Sequence, residues 1–396
     1  MRFCMITTFY PPYSFGGDGS FVRALSKLLA GQGHHVEVIH CADSFRTLGG
    51  EVTATTASAF DNIRVHTLQS PFGVLSPLAT HQTGLPLFKW QKIKSILEAG
   101  NFDVIHFHNI SLAGGPGLLR LGRGIKLYTL HEHWLICPMH TLFRDNREPC
   151  EEKHCFRCSI NYRRPPQLWR YTNLLSESVR HVDRFIAPTA HTRSLHVASK
   201  LPMKIVTIPN FHLPGVAGLP ANSGRPYFLY AGRLERLKGV HTLIPVFQSY
   251  GMADLVIAGA GGEGNALREQ ARGVSNIRFA GHLEQPQLAN LYRGAVAVLV
   301  PSLATEVFPL TILEAFAAAT PVIARAHGPL PEILDRSGGG MLFRSESELP
   351  ALFERLRTEP GIRNRLGKSG QEAGKTEWGP DRHLERYFSL IHELRR

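Results

Sequence analysis

Two glutamates in the second half of the chain have a spacing that suits a binding site. Glu306 and Glu314 lie in the segment PSLATEVFPLTILEAFAAATP, residues 301–321, with Pro309 between them. Proline suits the first turn of a helix and not its interior, so the sequence predicts that a helix begins near Pro309. Glu306 is then expected in the loop before the helix and Glu314 in its first or second turn, with both carboxylates facing one cleft.

The start of this predicted helix is also a candidate anion site. The amides of Phe308, Leu310 and Thr311 would lie at its N-terminus, where unpaired N–H groups and the helix dipole favour a phosphate. A solvated loop charge at position 306 and a dipole-complementing carboxylate at position 314 would explain an isolated glutamate pair equally well. The interpretation as a site therefore depends on what accompanies the pair.

A basic turn accompanies the pair formed by Glu306 and Glu314. Residues 230–239, YAGRLERLKG, follow a predicted strand and place Arg233 and Lys238 in a glycine-flanked turn. Two fixed cations near a helix N-terminus suit a diphosphate, whose charge must be neutralised as it becomes a leaving group. Surface salt bridges are the alternative explanation for these two side chains.

The elements that would position these residues form two strand–helix series. A chain of 396 residues exceeds one typical hydrophobic core, which favours two domains. Short apolar runs alternate with helix-compatible stretches, which predicts doubly wound parallel sheets that bind ligands beyond the carboxyl ends of their strands. The predicted strands are 1–8, 36–40, 104–107, 126–130, 184–187, 227–231, 254–258, 276–280, 295–300 and 321–324.

With these motifs, the chain resembles family 4 of the retaining glycosyltransferases, which have the two-Rossmann-domain GT-B architecture. The resemblance covers nearly the whole chain. It is carried by the Gly16-Gly17 loop, LHEHW around His131, VTIPN ending at Asn210, AGRLERLKG, LVIAGAG, IRFAGHL and EVFPLTILE.

The resemblance implies roles for the residues of the second half. Arg233 and Lys238 would hold the diphosphate of a nucleoside-diphosphate sugar, and Glu314 would hydrogen-bond the ribose hydroxyls. Glu306 would orient the transferred sugar. The nearby backbone belongs to Phe308, Pro309 and Leu310, of which Pro309 has no amide hydrogen to offer.

The resemblance also implies roles in the first half and a mechanism. His131 matches the histidine that touches the sugar near the reacting carbon, and Gly17 would let its loop approach the phosphates closely. Catalysis would retain the anomeric configuration and need no cofactor, with the leaving phosphate deprotonating the acceptor. One departure concerns the hinge, because residues 211–213 read Phe-His-Leu where the family commonly has Gly-Val-Asp.

The expected domains combine the two strand–helix series with the family resemblance. Residues 1–212 would form an acceptor-side Rossmann-like domain with a cysteine-rich insertion at about 137–158. Residues 213–380 would bind the nucleotide sugar, and 381–396 would form a helix that packs back on the first domain. The linker is expected at 211–226, where the composition shifts to Pro, Gly, Ala, Asn and Ser.

Two other functions compete with this interpretation. The sequence GAGGEG at 259–264 fits the dinucleotide-binding fingerprint, with Glu284 twenty residues beyond, which would suit an NAD(P)-dependent oxidoreductase. Only a short helix, 265–272, is predicted after it. A non-catalytic nucleotide-sugar binding protein is the other alternative, against which the complete set of Arg233, Lys238, Glu306 and Glu314 argues.

Four cysteines form a cluster with the spacing C-x12-C-x4-C-x2-C: Cys137, Cys150, Cys155 and Cys158. Four thiolates satisfy tetrahedral zinc, so we predict a structural zinc site that braces the insertion. Unlinked cysteines, an iron–sulfur cluster, or disulfides in an oxidising compartment are the alternatives. Cys4 and Cys41, in or beside predicted strands, are expected in the core.

Composition restricts the partners. The formal charge of +12 favours anionic ones, but no strongly basic run or zinc-finger spacing indicates nucleic acid. No apolar run reaches about 18 residues and no signal-peptide layout is seen, so a cytoplasmic protein is expected, with an anionic membrane surface as a further partner. The acceptor would be a glycan, a lipid-linked glycan or a small molecule. Leucines and aromatic residues within 75–90 are candidates for acceptor or lipid contact. Arg163, Arg164 and Arg170 beside Trp169 are candidates for contact with anionic headgroups, with a solvated helix face as the alternative explanation of these charges.

Overall fold

Short, mostly buried apolar runs form the strands of the computed structural model, which describes residues 1–50, 62–211, 213 and 224–396. In chain order the strands are β1 Arg2–Ile6, β2 His35–Cys41, β3 Ile63–Leu68, β4 Val104–Phe107, β5 Ile125–Thr129, β6 Phe143–Arg144, β7 Glu148–Pro149, β8 Arg184–Ala187, β9 Ile205–Thr207, β10 Tyr227–Ala231, β11 Asp254–Ala258, β12 Ile277–Gly281, β13 Ala297–Val300, β14 Val322–Arg325 and β15 Gly340–Phe343. The continuous burial of the central strands β4, β10, β11 and β13 is typical of parallel sheets that are covered on both faces.

Helices connect these strands. They are α1 Gly17–Gly31, α2 Ala42–Thr47, α3 Leu75–Thr83, α4 Trp90–Gly100, α5 Cys155–Asn161, α6 Leu174–Ser178, α7 Ala190–Ala198, α8 Val240–Ser249, α9 Gly264–Gln270, α10 Gln285–Gly294, α11 Leu310–Ala317, α12 Leu330–Ser337, α13 Leu349–Thr358, α14 Pro360–Thr376 and α15 Pro380–Arg395. Short 3-10 helices add Leu87–Lys89, Pro116–Arg120, Leu168–Tyr171, Val179–His181, Arg236–Lys238 and Glu346–Glu348. No helix within the described ranges is long and apolar enough to cross a membrane.

The first of two compact units comprises Met1–His140, Cys155–Asn210 and His383–Arg396. Its seven-stranded sheet has the order β3-β2-β1-β4-β5-β8-β9. All its pairings are parallel, with β1 placed between β2 and β4. The strand order therefore reverses at β1, which is the doubly wound arrangement.

The second unit comprises Thr141–His154 and Phe211–Arg382. Its six-stranded parallel sheet has the order β12-β11-β10-β13-β14-β15 and reverses at β10 in the same way. The predicted α/β architecture of two doubly wound parallel sheets is confirmed. Each sheet presents a reversal point, which is where such folds bind ligands beyond the carboxyl ends of the strands.

The C-terminal helix belongs to the first unit from His383 onward. The hydroxyl of Tyr387 lies 3.0 Å from Nδ1 of His106 on β4. Nearer the end of the helix, Arg395 forms an ion pair with Asp103 at 3.0 Å. These contacts fix the helix along the sheet of the first unit.

Residues 141–154 differ from the expectation that the whole cysteine-rich insertion would belong to the first domain, because they are part of the second unit. Phe143, on the small antiparallel pair β6 and β7, is 1% exposed and packs with Leu237 and Ala304. Burying the apolar ring of Phe143 against these turns removes it from water, which favours the association of residues 141–154 with the second unit.

The predicted linker at 211–226 and the Phe-His-Leu departure at 211–213 fall largely outside the described residues, which omit 212 and 214–223. Phe211 itself is buried and is part of the second unit. Cys4 and Cys41 are fully buried in β1 and β2, as predicted for core residues.

Candidate functional site

The basic turn of the second unit is tied to the carboxylate loop by backbone contacts. The amides of Leu303 and Ala304 both donate to the carbonyl oxygen of Leu237, at 2.9 and 3.2 Å. Gly239, which ends the turn, has a φ of +74°, and a Cβ there would overlap the carbonyl oxygen of Pro301. Glycine is therefore required for the turn to approach the loop this closely.

This approach brings Lys238 and Glu306 together. Nζ of Lys238 donates to Oε1 of Glu306 at 2.7 Å, and the hydroxyl of Ser302 donates to the same oxygen at 2.6 Å. Burial alone would raise the pKa of Glu306, but the charge and hydrogen bond of Lys238, with Ser302 and the more distant Arg233, lower it overall. Glu306 is thus an anion held beside a cation in a largely buried position.

Arg233 lies on the same turn but is more exposed. Its guanidinium forms an ion pair with Glu235 at 2.7 Å, and about half of its side chain is accessible to solvent. The hydroxyl of Tyr230 donates to its carbonyl oxygen at 2.7 Å, which fixes the backbone after β10. The structure therefore places a partly buried cation, Lys238, and a more accessible one, Arg233, at the end of a central strand.

The helix predicted after Glu306 is α11, with Pro309 at its N-cap position. The hydroxyl of Thr311 donates to the carbonyl oxygen of Ala231 at 3.2 Å, which fixes the first turn of α11 at the end of β10. The amides of Leu310 and Thr311 lie in that first turn, where α-helical N–H groups have no partner within the helix. Phe308 packs its ring against Trp378 at 5.7 Å, so only its backbone is available to a ligand.

Glu314 lies in the second turn of α11 and accepts a hydrogen bond from Tyr292. The phenol oxygen lies 2.6 Å from Oε2 of Glu314. Tyr292 is almost fully buried, and burial together with Glu314 raises its pKa well above the ordinary value. Sequence reasoning identified neither Tyr292 nor Ser302, since each reads as an ordinary core or loop residue.

The rival GAGGEG motif has a packing explanation in this structure. A Cβ at Gly259 would overlap the carbonyl oxygen of Gly232, and one at Gly261 would overlap that of Leu234. The amide of Leu234 also donates to the carbonyl oxygen of Ala260 at 2.9 Å. The glycines therefore support the basic turn, and the helix that follows, α9, has only seven residues. The structure thus gives the oxidoreductase alternative no further support.

In the first unit, His131 follows β5 and lies among aromatic side chains. Its Nε2 lies 2.9 Å from Nδ1 of His108, and its ring centroid lies 4.9 Å from that of Phe21 on α1. Burial and, to a smaller extent, the charge of His383 lower the pKa of His131 to about 3. The imidazole is therefore neutral at physiological pH.

The glycine loop of the first unit leads directly into α1. Gly16 and Gly17 are exposed, and Gly17 is the first residue of the helix. Asp18, next in the chain, accepts a hydrogen bond at 3.2 Å from the amide of Asn109, which donates at the same distance to Glu132. The loops after β4 and β5 and the start of α1 thus share one polar cluster that sequence analysis missed.

The four cysteines of the predicted metal site do not all belong to one unit. Cys137, Cys155 and Cys158 lie in the first unit and Cys150 in the second. All six cysteines of the chain are within the described residues, and none is joined to another in a disulfide. Among the described side chains, no group of three or more His, Cys, Asp or Glu is arranged as metal ligands. The structure thus offers no preformed ligand set, and the zinc site stays a prediction.

Arg170 was expected on a basic and aromatic surface, and this prediction was wrong. Its guanidinium stacks on Trp169 at 4.5 Å and donates to the carbonyl oxygens of Trp134 and Leu135 at 2.5 and 3.2 Å. Burial lowers its pKa to about 10. Because Arg170 binds backbone carbonyls and Trp169 is buried with it, these side chains stabilise the loop after His131. Arg163 and Arg164 are exposed.

The segment 75–90 carries an exposed apolar surface, which we call the α3 surface. Its members are the exposed side chains Leu75, Leu78, Leu87, Phe88 and Trp90. Phe72 extends it, with its ring 4.5 Å from that of Phe88. This surface belongs to the first unit.

Comparison with known protein families matches both halves of the chain. Residues 15–212 match the family model described as Glycosyltransferase Family 4. Residues 217–373 match the model described as Glycosyl transferases group 1. Almost the entire chain is thereby accounted for.

Similar curated proteins extend over the same length. A phosphatidyl-myo-inositol mannosyltransferase of Mycobacterium leprae is 28% identical, over 91% of this chain and 90% of the relative. A D-inositol 3-phosphate glycosyltransferase of Kribbella flavida is 27% identical, over 90% of this chain and 86% of the relative.

Solved structures show the same fold at lower identity. A sucrose-phosphate synthase from Thermosynechococcus elongatus aligns with a TM-score of 0.75 at 18% identity, over 99% of this chain and 98% of the other. The Anabaena protein HepE, solved in complex with UDP-glucose, aligns with a TM-score of 0.68 at 16% identity, over 99% of this chain and 100% of the other. With the two parallel sheets, the basic turn and the family matches taken together, the chain has the GT-B fold and belongs to family 4 of the glycosyltransferases.

Proposed function

We propose that the protein transfers a hexosyl group from a nucleoside-diphosphate sugar to a hydroxyl group of an acceptor, with retention of the anomeric configuration. The observation that carries the proposal is the pair formed by Lys238 and Glu306 at 2.7 Å, next to the first turn of α11. A cation, an anion and a helix N-terminus at one strand end supply what a diphosphate-linked sugar requires.

In this proposal the diphosphate competes with Glu306 for Lys238. The ammonium group and the accessible guanidinium of Arg233 neutralise the charge that develops on the leaving nucleoside diphosphate, and the amides of Leu310 and Thr311 add hydrogen bonds. Glu306, released from part of its contact with Lys238, accepts a hydrogen bond from the transferred sugar. Glu314, oriented by Tyr292, binds the ribose hydroxyls.

We assign His131 a contact with the transferred sugar, as the family resemblance implies, and the leaving phosphate removes the proton of the acceptor hydroxyl. No cofactor is needed for this chemistry, because the protein itself supplies two positive charges. The cysteine cluster is assigned no part in the reaction. As a structural zinc site it would serve only to brace the chain after His131.

The donor and acceptor belong to chemical classes that the relatives suggest. HepE was solved with UDP and with UDP-glucose, so uridine nucleotides come first among the donors to be tested. Two relatives are named for inositol acceptors, which places cyclitols and their phosphates beside glycans and lipid-linked glycans as acceptor candidates. The exposed α3 surface is the part of the first unit that would meet lipid.

A screen of UDP-, GDP-, ADP- and TDP-sugars tests the proposal. We expect at least one to raise the melting temperature and to be hydrolysed slowly without acceptor. Lys238→Met should abolish both effects, whereas the exposed Glu269→Gln serves as a control that keeps them. Stabilisation without any hydrolysis or transfer would indicate a non-catalytic binder, and stabilisation by NAD(H) alone would favour an oxidoreductase.

A further inference from the structure

His108 and His131 form a hydrogen-bonded pair in the first unit. His108 directly follows β4, and its Nδ1 lies 2.9 Å from Nε2 of His131. The two rings are nearly coplanar, with an interplanar angle of 18° and centroids 5.1 Å apart. Side-by-side rings in one plane give the geometry of an N–H donating to the in-plane lone pair of a neighbouring ring nitrogen.

Both rings are neutral, so one of the two must donate. Burial, followed by the charges of neighbouring histidines, lowers the pKa of His108 well below its ordinary value, and that of His131 is lowered to about 3. A neutral imidazole carries one N–H and one bare nitrogen. The direction of the hydrogen bond therefore determines which nitrogen of His131 carries its proton.

The other nitrogen of His108 decides the direction. His108 is fully buried, and its Nε2 has no hydrogen-bond partner among the described residues. If His131 donated, His108 would carry its proton on this nitrogen as a buried N–H without an acceptor. Orphaned N–H groups are rarer in proteins than under-satisfied acceptors. The favoured arrangement leaves Nε2 of His108 bare and places its proton on Nδ1, donating to Nε2 of His131.

Neighbouring side chains hold the His108 ring in position. His106 stacks on it with a centroid distance of 4.1 Å. His106 is itself fixed at both nitrogens, by the hydroxyl of Thr129 at 2.8 Å and that of Tyr387 at 3.0 Å. The imidazole plane of His108, and with it the line of its Nδ1–H, is therefore restrained.

We propose that His108 is a positioning residue that holds His131 in the tautomer protonated on Nδ1, so that His131 offers the sugar an N–H donor. This inference rests on the proposed function, in which His131 contacts the transferred sugar. Because Nε2 of His131 is occupied by His108, His131 donates a hydrogen bond to a sugar oxygen and does not remove a proton from the acceptor. This agrees with a mechanism in which the leaving phosphate takes that proton.

Long-range 1H–15N correlation spectra of the ligand-free, histidine-labelled protein read the tautomer directly, with His131 assigned by its loss in His131→Ala. We expect His131 to be protonated on Nδ1 and bare on Nε2. A proton on Nε2 of His131 would overturn the inference. This measurement needs no substrate, so it decides the point even if no nucleotide sugar is turned over.

Two substitutions test the positioning role in activity. His108→Asn places an amide N–H where Nδ1–H stood, and His108→Leu offers no donor. We expect His108→Asn to keep kcat within about threefold and His108→Leu to lower kcat about tenfold or more. The KM for the sugar nucleotide should change by less than about threefold in both variants. Melting temperatures of both variants report any general loss of structure. Equal losses of kcat at equal melting temperatures would contradict the proposal, since the N–H hydrogen-bond donor is what distinguishes Asn from Leu at position 108.

Discussion

Lys238 and Glu306 are 68 residues apart in sequence but 2.7 Å apart in the structure, and each is the partner that allows the other to be largely buried. The pair exists because the carbonyl oxygen of Leu237 accepts two amide hydrogens from the loop that carries Glu306. Its consequence is that stability and function respond differently when one charge is removed.

We expect Lys238→Met to reduce the free energy of unfolding by about 1–3 kcal/mol, because Glu306 is left buried without its cation. Adding Glu306→Gln should restore most of that stability but no activity, since the proposed function assigns both charges to the sugar donor. Denaturant unfolding and donor hydrolysis measure the two properties separately. The exposed Lys368→Met is the matched control. Simple additivity of the two losses of stability would contradict the coupling.

Tyr292→Phe should weaken donor binding through Glu314. The substitution removes the hydroxyl that lies 2.6 Å from Oε2 of Glu314, so the carboxylate loses orientation. A hydrogen bond of about 1 kcal/mol corresponds to a roughly fivefold higher donor KM, with kcat within about twofold.

Tyr227→Phe is the control for this substitution, because the Tyr227 hydroxyl donates to the carbonyl oxygen of Leu291 at 2.8 Å and does not contact Glu314. It should lower stability without changing the donor KM. An equal rise of KM in both phenylalanine variants would count against a specific role of Tyr292.

Stability should fall as the pH drops below about 6.5. Burial lowers the pKa values of His106 and His108 well below that value, and lowers the pKa of His383 to about 4. The unfolded chain therefore binds more protons than the folded chain between about pH 6.5 and 4, and folding loses on the order of 1 kcal/mol per pH unit for each such histidine.

Unfolding free energies at pH 7.5, 6.5, 5.5 and 4.5 measure this effect. His106→Asn should flatten the decline, whereas His154→Gln, at an exposed position, should leave it unchanged. A stability that rises toward pH 5 would mean that the buried histidines are protonated in the folded state.

The cysteine cluster predicts bound metal. Protein purified without chelator should contain about one equivalent of zinc if Cys137, Cys150, Cys155 and Cys158 ligate it, and the metal content should be lost in Cys155→Ser. Cys4→Ala, in the core of the first unit, is the control that should retain it. Less than about a tenth of an equivalent of zinc or iron would remove the hypothesis.

The exposed α3 surface predicts binding to anionic vesicles. Phe88→Ser and Leu78→Ser should reduce co-sedimentation with phosphatidylglycerol-containing vesicles several-fold, because each removes an exposed apolar side chain. Met252→Ser, an exposed apolar position of the second unit, is the control. Sedimentation that is independent of both lipid charge and salt would contradict an electrostatic contribution from the basic protein.

Much of the fold could be predicted from the sequence because central parallel strands are continuous apolar runs. The bounds of β4, β8, β10 and β11 coincide with the predicted ones, and α11 begins immediately after Pro309 as expected. The edge strands β3, β9 and β15 were not predicted. Their residues are largely half-exposed, so no buried apolar run marks them.

The residues of the candidate site could be predicted from motifs, but the side chains that hydrogen-bond to them could not. Tyr292 and Ser302 act through contacts between elements far apart in sequence, which no local pattern encodes. Arg170 was misjudged because a basic residue near aromatic ones predicts an exposed surface, whereas backbone carbonyls bind it in the interior. The GAGGEG glycines were ambiguous until their packing against the basic turn was visible.

The contact of Phe143 with Leu237 and Ala304 affects how the protein can be divided for experiments. Neither unit is one uninterrupted stretch of chain, since 141–154 serve the second unit and 383–396 complete the first. A fragment of residues 224–382 lacks Phe143 and would leave the apolar side of its own basic turn uncovered. Such a truncation should aggregate or misfold unless the missing loop is supplied, for example by grafting residues 141–154 onto its N-terminus.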